Sequence, residues 1–148
     1  MLNMTTEQPV QRVAAKAVIE SEGGILVLHP SAIDANRKWH IPGGIRDDIS
    51  EPLAMTAVRE VMEETGIDLT EVKSETLMYG EWPAIDKGEN VKILAIFLHF
   101  ALPTRPEVVL SDEHDDMAWL GITNCKDYDT NKEVGKIVEL LFGRHDES

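Results

Sequence analysis

Gly43-Gly44-Ile45-Arg46-Asp47-Asp48-Ile49-Ser50-Glu51 leads through Pro52-Leu53-Ala54-Met55-Thr56-Ala57-Val58 into Arg59-Glu60-Val61-Met62-Glu63-Glu64-Thr65-Gly66-Ile67. The later part of this stretch reads as a helix over 51–65. Leu53, Ala54, Ala57, Val58 and Val61 recur at the 3.6-residue period that makes one apolar face. Ser50 is the expected N-cap, Pro52 suits the first turn, and Gly66 suits the residue just past the last one. Glu60, Glu63 and Glu64 then stand at i, i+3 and i+4, inside one arc of roughly 100° beside the apolar face. Like charges so placed repel by a few tenths of a kcal/mol per pair, and the helix dipole disfavours anions in the last turn. A helix built for stability alone would carry Lys there. The cluster therefore points to a cation, and grouped carboxylate oxygens suit a hard one, Mg²⁺ or Mn²⁺.

The loop ahead of the helix fits the same purpose. Paired glycines let backbone approach closely and present a carbonyl to the same ion. Arg59 can bridge back to Glu51, eight residues earlier, and brace the loop on the helix. Together these residues resemble the Nudix box, the signature of the Nudix hydrolases: Gly, five residues, Glu, seven residues, then Arg-Glu-aliphatic-any-Glu-Glu-any-Gly-aliphatic. Every position from Glu51 to Ile67 matches, and the one departure is the six residues between Gly44 and Glu51. The resemblance implies an α/β fold, an α/β/α sandwich with a mixed β-sheet and a loop–helix–loop catalytic motif. It also implies metal-dependent hydrolysis of a diphosphate linkage in a nucleoside diphosphate joined to another group. On that pattern Glu60, Glu63, Glu64 and the Gly44 carbonyl hold Mg²⁺, with Mn²⁺ also supporting activity. Arg59 completes the catalytic set, and one of the carboxylates is often the general base.

Working outward, Arg12 to Glu20 reads as a strand, Ser21 to Gly24 as a turn, and Ile25 to Leu28 as the returning strand of a hairpin. Residues 1–11 are expected to be flexible. His29 to Lys38 reads as a loop, Thr76 to Trp82 and Val91 to Leu102 as strands around a turn at 86–90, and Met117 to Leu120 as a short strand. A final helix is expected over 131–142, with Val134, Ile137, Val138 and Leu141 on one side. No repeat or linker divides the chain, so residues 1–148 read as one domain.

Further candidates lie outside the motif. The acidic turn Ser111-Asp112-Glu113-His114-Asp115-Asp116 precedes an aromatic strand, and many Nudix enzymes carry a similar turn; Glu113 is the expected extra catalytic acid, with Asp116 behind it. Arg37 and Lys38 are the expected contacts to substrate phosphates. Asn131 is either a helix cap or a reader of the base, as an Asn near this place is in mutator-type members of the family. His29, His40 and His99 lie on or beside apolar strands and read as hydrogen-bonded structural residues.

Composition limits the partners. The 148 residues carry 14 Lys and Arg against 27 Asp and Glu, a net charge of −13. Such a chain lacks the basic face that duplex nucleic acid or an anionic membrane demands. Phosphate substrates remain open, because a divalent metal inverts the local field. The single cysteine, Cys125, allows neither an internal disulfide nor a zinc cluster. Residues 1–10 lack the basic and apolar regions of a signal peptide, so a cytoplasmic location is expected. The reading is a pyrophosphohydrolase that takes a nucleoside triphosphate to the monophosphate and diphosphate, acting on a small nucleotide, alone or as a homodimer. A nucleoside diphosphate sugar or ADP-ribose is the alternative substrate. A ligand-sensing domain without turnover is the alternative class, and retention of Glu60, Glu63 and Glu64 speaks against it.

Overall fold

Alternating burial along a long first strand organises the molecule. The computed structural model describes residues 9–31 and 38–143. Along β1 (Val10–Ser21), Ala14 and Val18 face one side of the sheet while Ala15, Ala17 and Ile19 face the other, and all five are buried. The strand continues through the turn Glu22-Gly23, both at positive φ, into β2 (Gly24–Pro30). After β3 (Gly43–Ile45) come α1 (Leu53–Thr65) and the long hairpin of β4 (Ser74–Asp86) and β5 (Glu89–Ala101), which turns at Lys87-Gly88. The chain closes with β6 (His114–Leu120), a 3-10 turn Cys125–Asp127, and α2 (Lys132–Phe142).

The six strands form one mixed sheet ordered β4-β5-β1-β2-β6, with β3 also paired to β1. β1 and β5 run parallel from Val10↔Val91 to Glu20↔Ala101, and the other strand pairs are antiparallel. One face packs Ala14, Val18, Val27 and Phe97 against Val134, Ile137 and Val138 of α2. The opposite face packs Ala15, Ile19, Leu26 and Phe100 against Ala57 and Val61 of α1. Helix, sheet, helix is the expected α/β/α sandwich.

β2 runs on through His29 and Pro30 and β6 begins at His114, each longer than expected, and three further differences have a physical reason. Val10 and Gln11 belong to β1 and pair with Val91 and Lys92, so ordered chain begins before residue 12. β4 runs on through Pro83 to Asp86 because it is an edge strand, where a missing N–H costs no ladder bond. Ser50 does not cap α1: its hydroxyl donates to Asp48 Oδ1 at 2.8 Å, and Pro52 holds the cap position without a side-chain bond.

The sheet also parts where the site will lie. β1 pairs with β2 only at Glu20↔Ile25 and Ser21↔Gly24, then takes β3 as its neighbour at Ala14↔Ile45 to Lys16↔Gly43. The Ala17 N–H donates to the Pro42 carbonyl at 2.8 Å, and His40 pairs with Leu28. Trp39 lies alongside Thr130 and pins the approach to the Gly-Gly turn against the entry of α2.

Candidate active site

α1 presents its acidic residues to the parted strands. Arg59 Nε and Nη2 donate to Glu51 Oε2 and Oε1 at 3.1 and 3.0 Å, a two-point clamp across eight residues. The extra loop residue is absorbed by a turn in which the Ser50 and Glu51 N–H groups both bond to Asp48, so Glu51 still reaches Arg59. The bonds from Arg59 and one from Thr56 hold the Glu51 carboxyl below the usual range, and Glu51 holds the Arg59 guanidinium charged. Arg59 Nη1 also donates to Glu60 Oε2 at 3.2 Å and lies 3.7 Å from Glu63 Oε2.

The two glycines receive the other carboxylates. The Gly43 N–H donates to Glu64 Oε1 at 3.0 Å. Gly44 lies so close to Glu60 that a β-carbon there would stand 2.6 and 2.7 Å from its two oxygens. Burial and then the charge of Glu63 raise the Glu60 pKa. Glu64 is 5% exposed, and burial pushes its pKa up to about 7 against the opposing pull of Lys16 and Gly43. Glu63 remains exposed on the helix.

Glu113 extends this cluster, since its charge acts on both Glu60 and Glu64. Its loop is anchored at both ends: Ser111 N–H donates to the Glu64 carbonyl at 3.1 Å, and Ser31 N–H donates to the Glu113 carbonyl at 3.0 Å. Asp116 instead turns back to accept from the Met117 N–H.

Among the described residues, no three His, Cys, Asp or Glu side chains are already gathered around one ion-sized position. The donor chemistry nevertheless suits a hard divalent cation. Two adjacent carboxyls with raised pKa values carry an electrostatic load that such an ion relieves, and each keeps an oxygen outside the bonds to Arg59 and Gly43.

A narrow cleft opens beside the cluster, lined by Lys16, His40, Trp82, Phe97, Asn131 and Glu133. A wider space of about 720 Å³ shares Trp82, Asn131 and Glu133 and adds Lys38 and Lys132. The structure thus brings Lys38 and Asn131 to one cleft; Arg37 lies outside the described residues. Asn131 holds the cap position of α2 without a side-chain cap bond, which leaves its amide to the cleft. His40 behaves as a structural histidine. Its Nδ1–H donates to the Ile41 carbonyl at 3.1 Å and its Nε2 meets His114 Nε2 at 3.1 Å. Burial, Lys16 and His114 push its pKa down to about 3.

A family model, the NUDIX domain, matches residues 10–141, a range that includes these glycines, Glu51, Arg59 and the three glutamates. The chain belongs to the NUDIX family. Members are hydrolases of diphosphate-linked moieties and generally depend on a divalent metal. A curated relative, nucleoside diphosphate-linked moiety X motif 6 of Xenopus laevis, is 44% identical over 55 residues, which are 37% of this chain and 24% of that protein. The match therefore spans about a quarter of that relative's length. The MutT protein of Methanosarcina mazei Go1 is 24% identical with a TM-score of 0.70, covering 97% of this chain and 100% of its own. The E. coli dihydroneopterin triphosphate pyrophosphohydrolase is 20% identical with a TM-score of 0.70, covering 89% and 97%. A bifunctional NMN adenylyltransferase/ADP ribose pyrophosphatase of Francisella tularensis, solved with AMP and a Mn ion, is 21% identical with a TM-score of 0.65, covering 92% of this chain and 42% of that one. At these identities the structures show a shared Nudix fold.

Lys16 and Glu133, like Phe97 and Lys132, were not among the sequence candidates. Lys16 is the lone charge in the run Val13-Ala14-Ala15-Lys16-Ala17-Val18-Ile19, a signal that was there to be taken. Glu133 opens α2 beside Val134 and resembles an ordinary solvated first-turn acid, yet it is only 7% exposed.

Proposed function

We propose that this chain is a Mg²⁺-dependent Nudix pyrophosphohydrolase that converts a nucleoside triphosphate to the monophosphate and diphosphate. The observation that carries the reading is the seating of Glu60 and Glu64 against Gly44 and Gly43, with Arg59 clamped by Glu51, beside a cleft lined by Trp82, Phe97 and Asn131. Glu60, Glu63, Glu64 and the Gly44 carbonyl would hold the metal; Mn²⁺ would serve as well, in keeping with the ion in the Francisella structure. Bound there, the cation screens the diphosphate and stabilises charge on the leaving phosphate.

The chain's own groups do the rest. Arg59 keeps Glu60 from swinging away and fixes the loop before α1 through Glu51. Glu113, exposed and anchored beside the cluster, is the general base that takes the proton of the attacking water. Trp82 and Phe97 wall the nucleoside, Asn131 offers a donor and an acceptor to the base edge, and Lys38 borders the same space and contacts a substrate phosphate, a role proposed from the sequence for Arg37 as well.

The test is a panel of nucleoside triphosphates, a nucleoside diphosphate sugar and ADP-ribose, assayed separately for phosphate and diphosphate. Diphosphate release from triphosphates is expected. It should vanish with chelator, return with Mg²⁺ or Mn²⁺, and fall by about 10²–10⁴ in Glu64→Gln. Turnover confined to the sugar or ADP-ribose would replace the substrate reading, and no turnover of any member would overturn the enzyme.

A further inference from the structure

Lys16 sits at the join between the acidic cluster and the cleft. On β1 it lies opposite Gly43, and its stem runs over the bare Cα of that glycine: a β-carbon on Gly43 would meet Lys16 Cδ at 3.0 Å. The side chain therefore passes the residue whose N–H holds Glu64 and borders the cleft as well. Among the described residues it makes no hydrogen bond or ion pair, although Glu64, Glu60 and Glu133 all act on its charge, in that order. Burial alone pulls its pKa down.

The neighbouring cations are otherwise engaged or remote. Arg59 spends its guanidinium on Glu51, Glu60 and Glu63, while Lys38 and Lys132 line the outer space. A part-buried ammonium without a partner is costly unless an anion completes it. The substrate carries that anion at the required place: its first phosphate joins the nucleoside in the cleft to the diphosphate at the carboxylates.

Resting on the proposed hydrolase reading, we infer that Lys16 binds the phosphate nearest the nucleoside, the one retained in the monophosphate product, and sets the register of the chain on the reacting bond. The contact is a charge-assisted hydrogen bond from the ammonium to a non-bridging oxygen. Gly43 has a second reason to lack a side chain, since any β-carbon would displace the lysine stem.

The test measures binding of adenosine, guanosine and their 5′-monophosphates, which the enzyme does not hydrolyse. Wild type, Lys16→Met and Lys16→Arg are titrated by calorimetry in Mg²⁺ and again in chelator, each with a thermal melt. The wild type should bind at least one monophosphate on the order of tenfold more tightly than its nucleoside, as expected of one charged hydrogen bond. Lys16→Met should lose that increment in both conditions and keep its nucleoside affinity; Lys16→Arg should retain part of it. A folded Lys16→Met protein with the full increment overturns the inference. So does a loss seen only with Mg²⁺, which would place Lys16 on the carboxylates instead, and so does a wild type with no increment. A phosphate increment in a protein that hydrolyses nothing would sink the hydrolase and leave the Lys16 contact standing.

Discussion

Replacing Gly44 by alanine should separate the chemistry from the fold. A β-carbon at Gly44 would stand 2.6 and 2.7 Å from the Glu60 oxygens, where an ordinary contact begins near 3.4 Å. The Glu60 carboxyl carbon would be nearer still, at 2.4 Å, so the carboxylate must retreat by roughly 1 Å. Glu60 is the end of a flexible side chain and can move, and the backbone at Gly44 is not in the positive-φ region, so the fold has little to lose. A misplacement near 1 Å costs about 10²-fold in rate when geometry is what the site supplies. Gly43→Ala is the contrast: with φ at +144° its β-carbon would collide with the Ala15 carbonyl and stand 2.7 Å from Lys16 Cα, both backbone atoms. That variant should lose roughly 2–3 kcal/mol of stability. Steady-state hydrolysis with the best nucleotide of the panel, beside thermal melts, reads both effects. Gly44→Ala with full activity would refute the reasoning, as would a fall in melting temperature as large as that of Gly43→Ala.

Three further outcomes follow from the same geometry. Arg59→Lys cannot span both Glu51 oxygens and reach Glu60 as well, so kcat should fall by roughly 10–100-fold with folding retained, by steady-state kinetics and a melt. Asn131→Ala should raise KM and blur discrimination between purine and pyrimidine triphosphates while leaving the melt nearly unchanged, because the amide makes no cap bond; a loss of about 1 kcal/mol with unchanged preference would show a cap instead. His40, with its folded pKa near 3 against an ordinary value of 6.5, contributes stability that is present above pH of about 6.5 and lost as pH falls toward 3. Between about pH 7.5 and 5 that loss is roughly 1–2 kcal/mol. Glu64, with its raised pKa, acts in the opposite direction over the same range in both proteins, so the loss should appear as the pH-dependent difference in urea unfolding between wild type and His40→Gln in chelator.

Much of this site was legible because its logic is local. The period of Leu53, Ala57 and Val61 placed α1 through helix geometry, and the charge pairing of Arg59 with Glu51 placed the adjoining loop on it. Ser50 misled because two local bonds competed for one hydroxyl, and the turn at Asp48 won it from the helix. The length of β4 was hidden by Pro83, whose tolerance depends on edge position, a tertiary fact. Lys16 and Glu133 were hardest, because their meaning lies in the distance between β1 and α2, which no spacing along the chain encodes.

The parting of β1 from β2 ties these pieces together. A continuous β1–β2 ladder would bury Lys16 against strand and leave no route between the two faces of the sheet. By taking β3 as its neighbour instead, β1 brings Lys16 over Gly43 and sets α1 on the same short strand. Gly43 binds Glu64 through its N–H and clears the lysine stem with its missing side chain, while Gly44 clears Glu60. Three charged groups thus converge on two residues without side chains, which explains why larger residues would be excluded from both positions for different reasons. A chain of net charge −13 can in this way present a cation beside Glu60 and Glu64, where the proposed phosphorylated substrate would meet it.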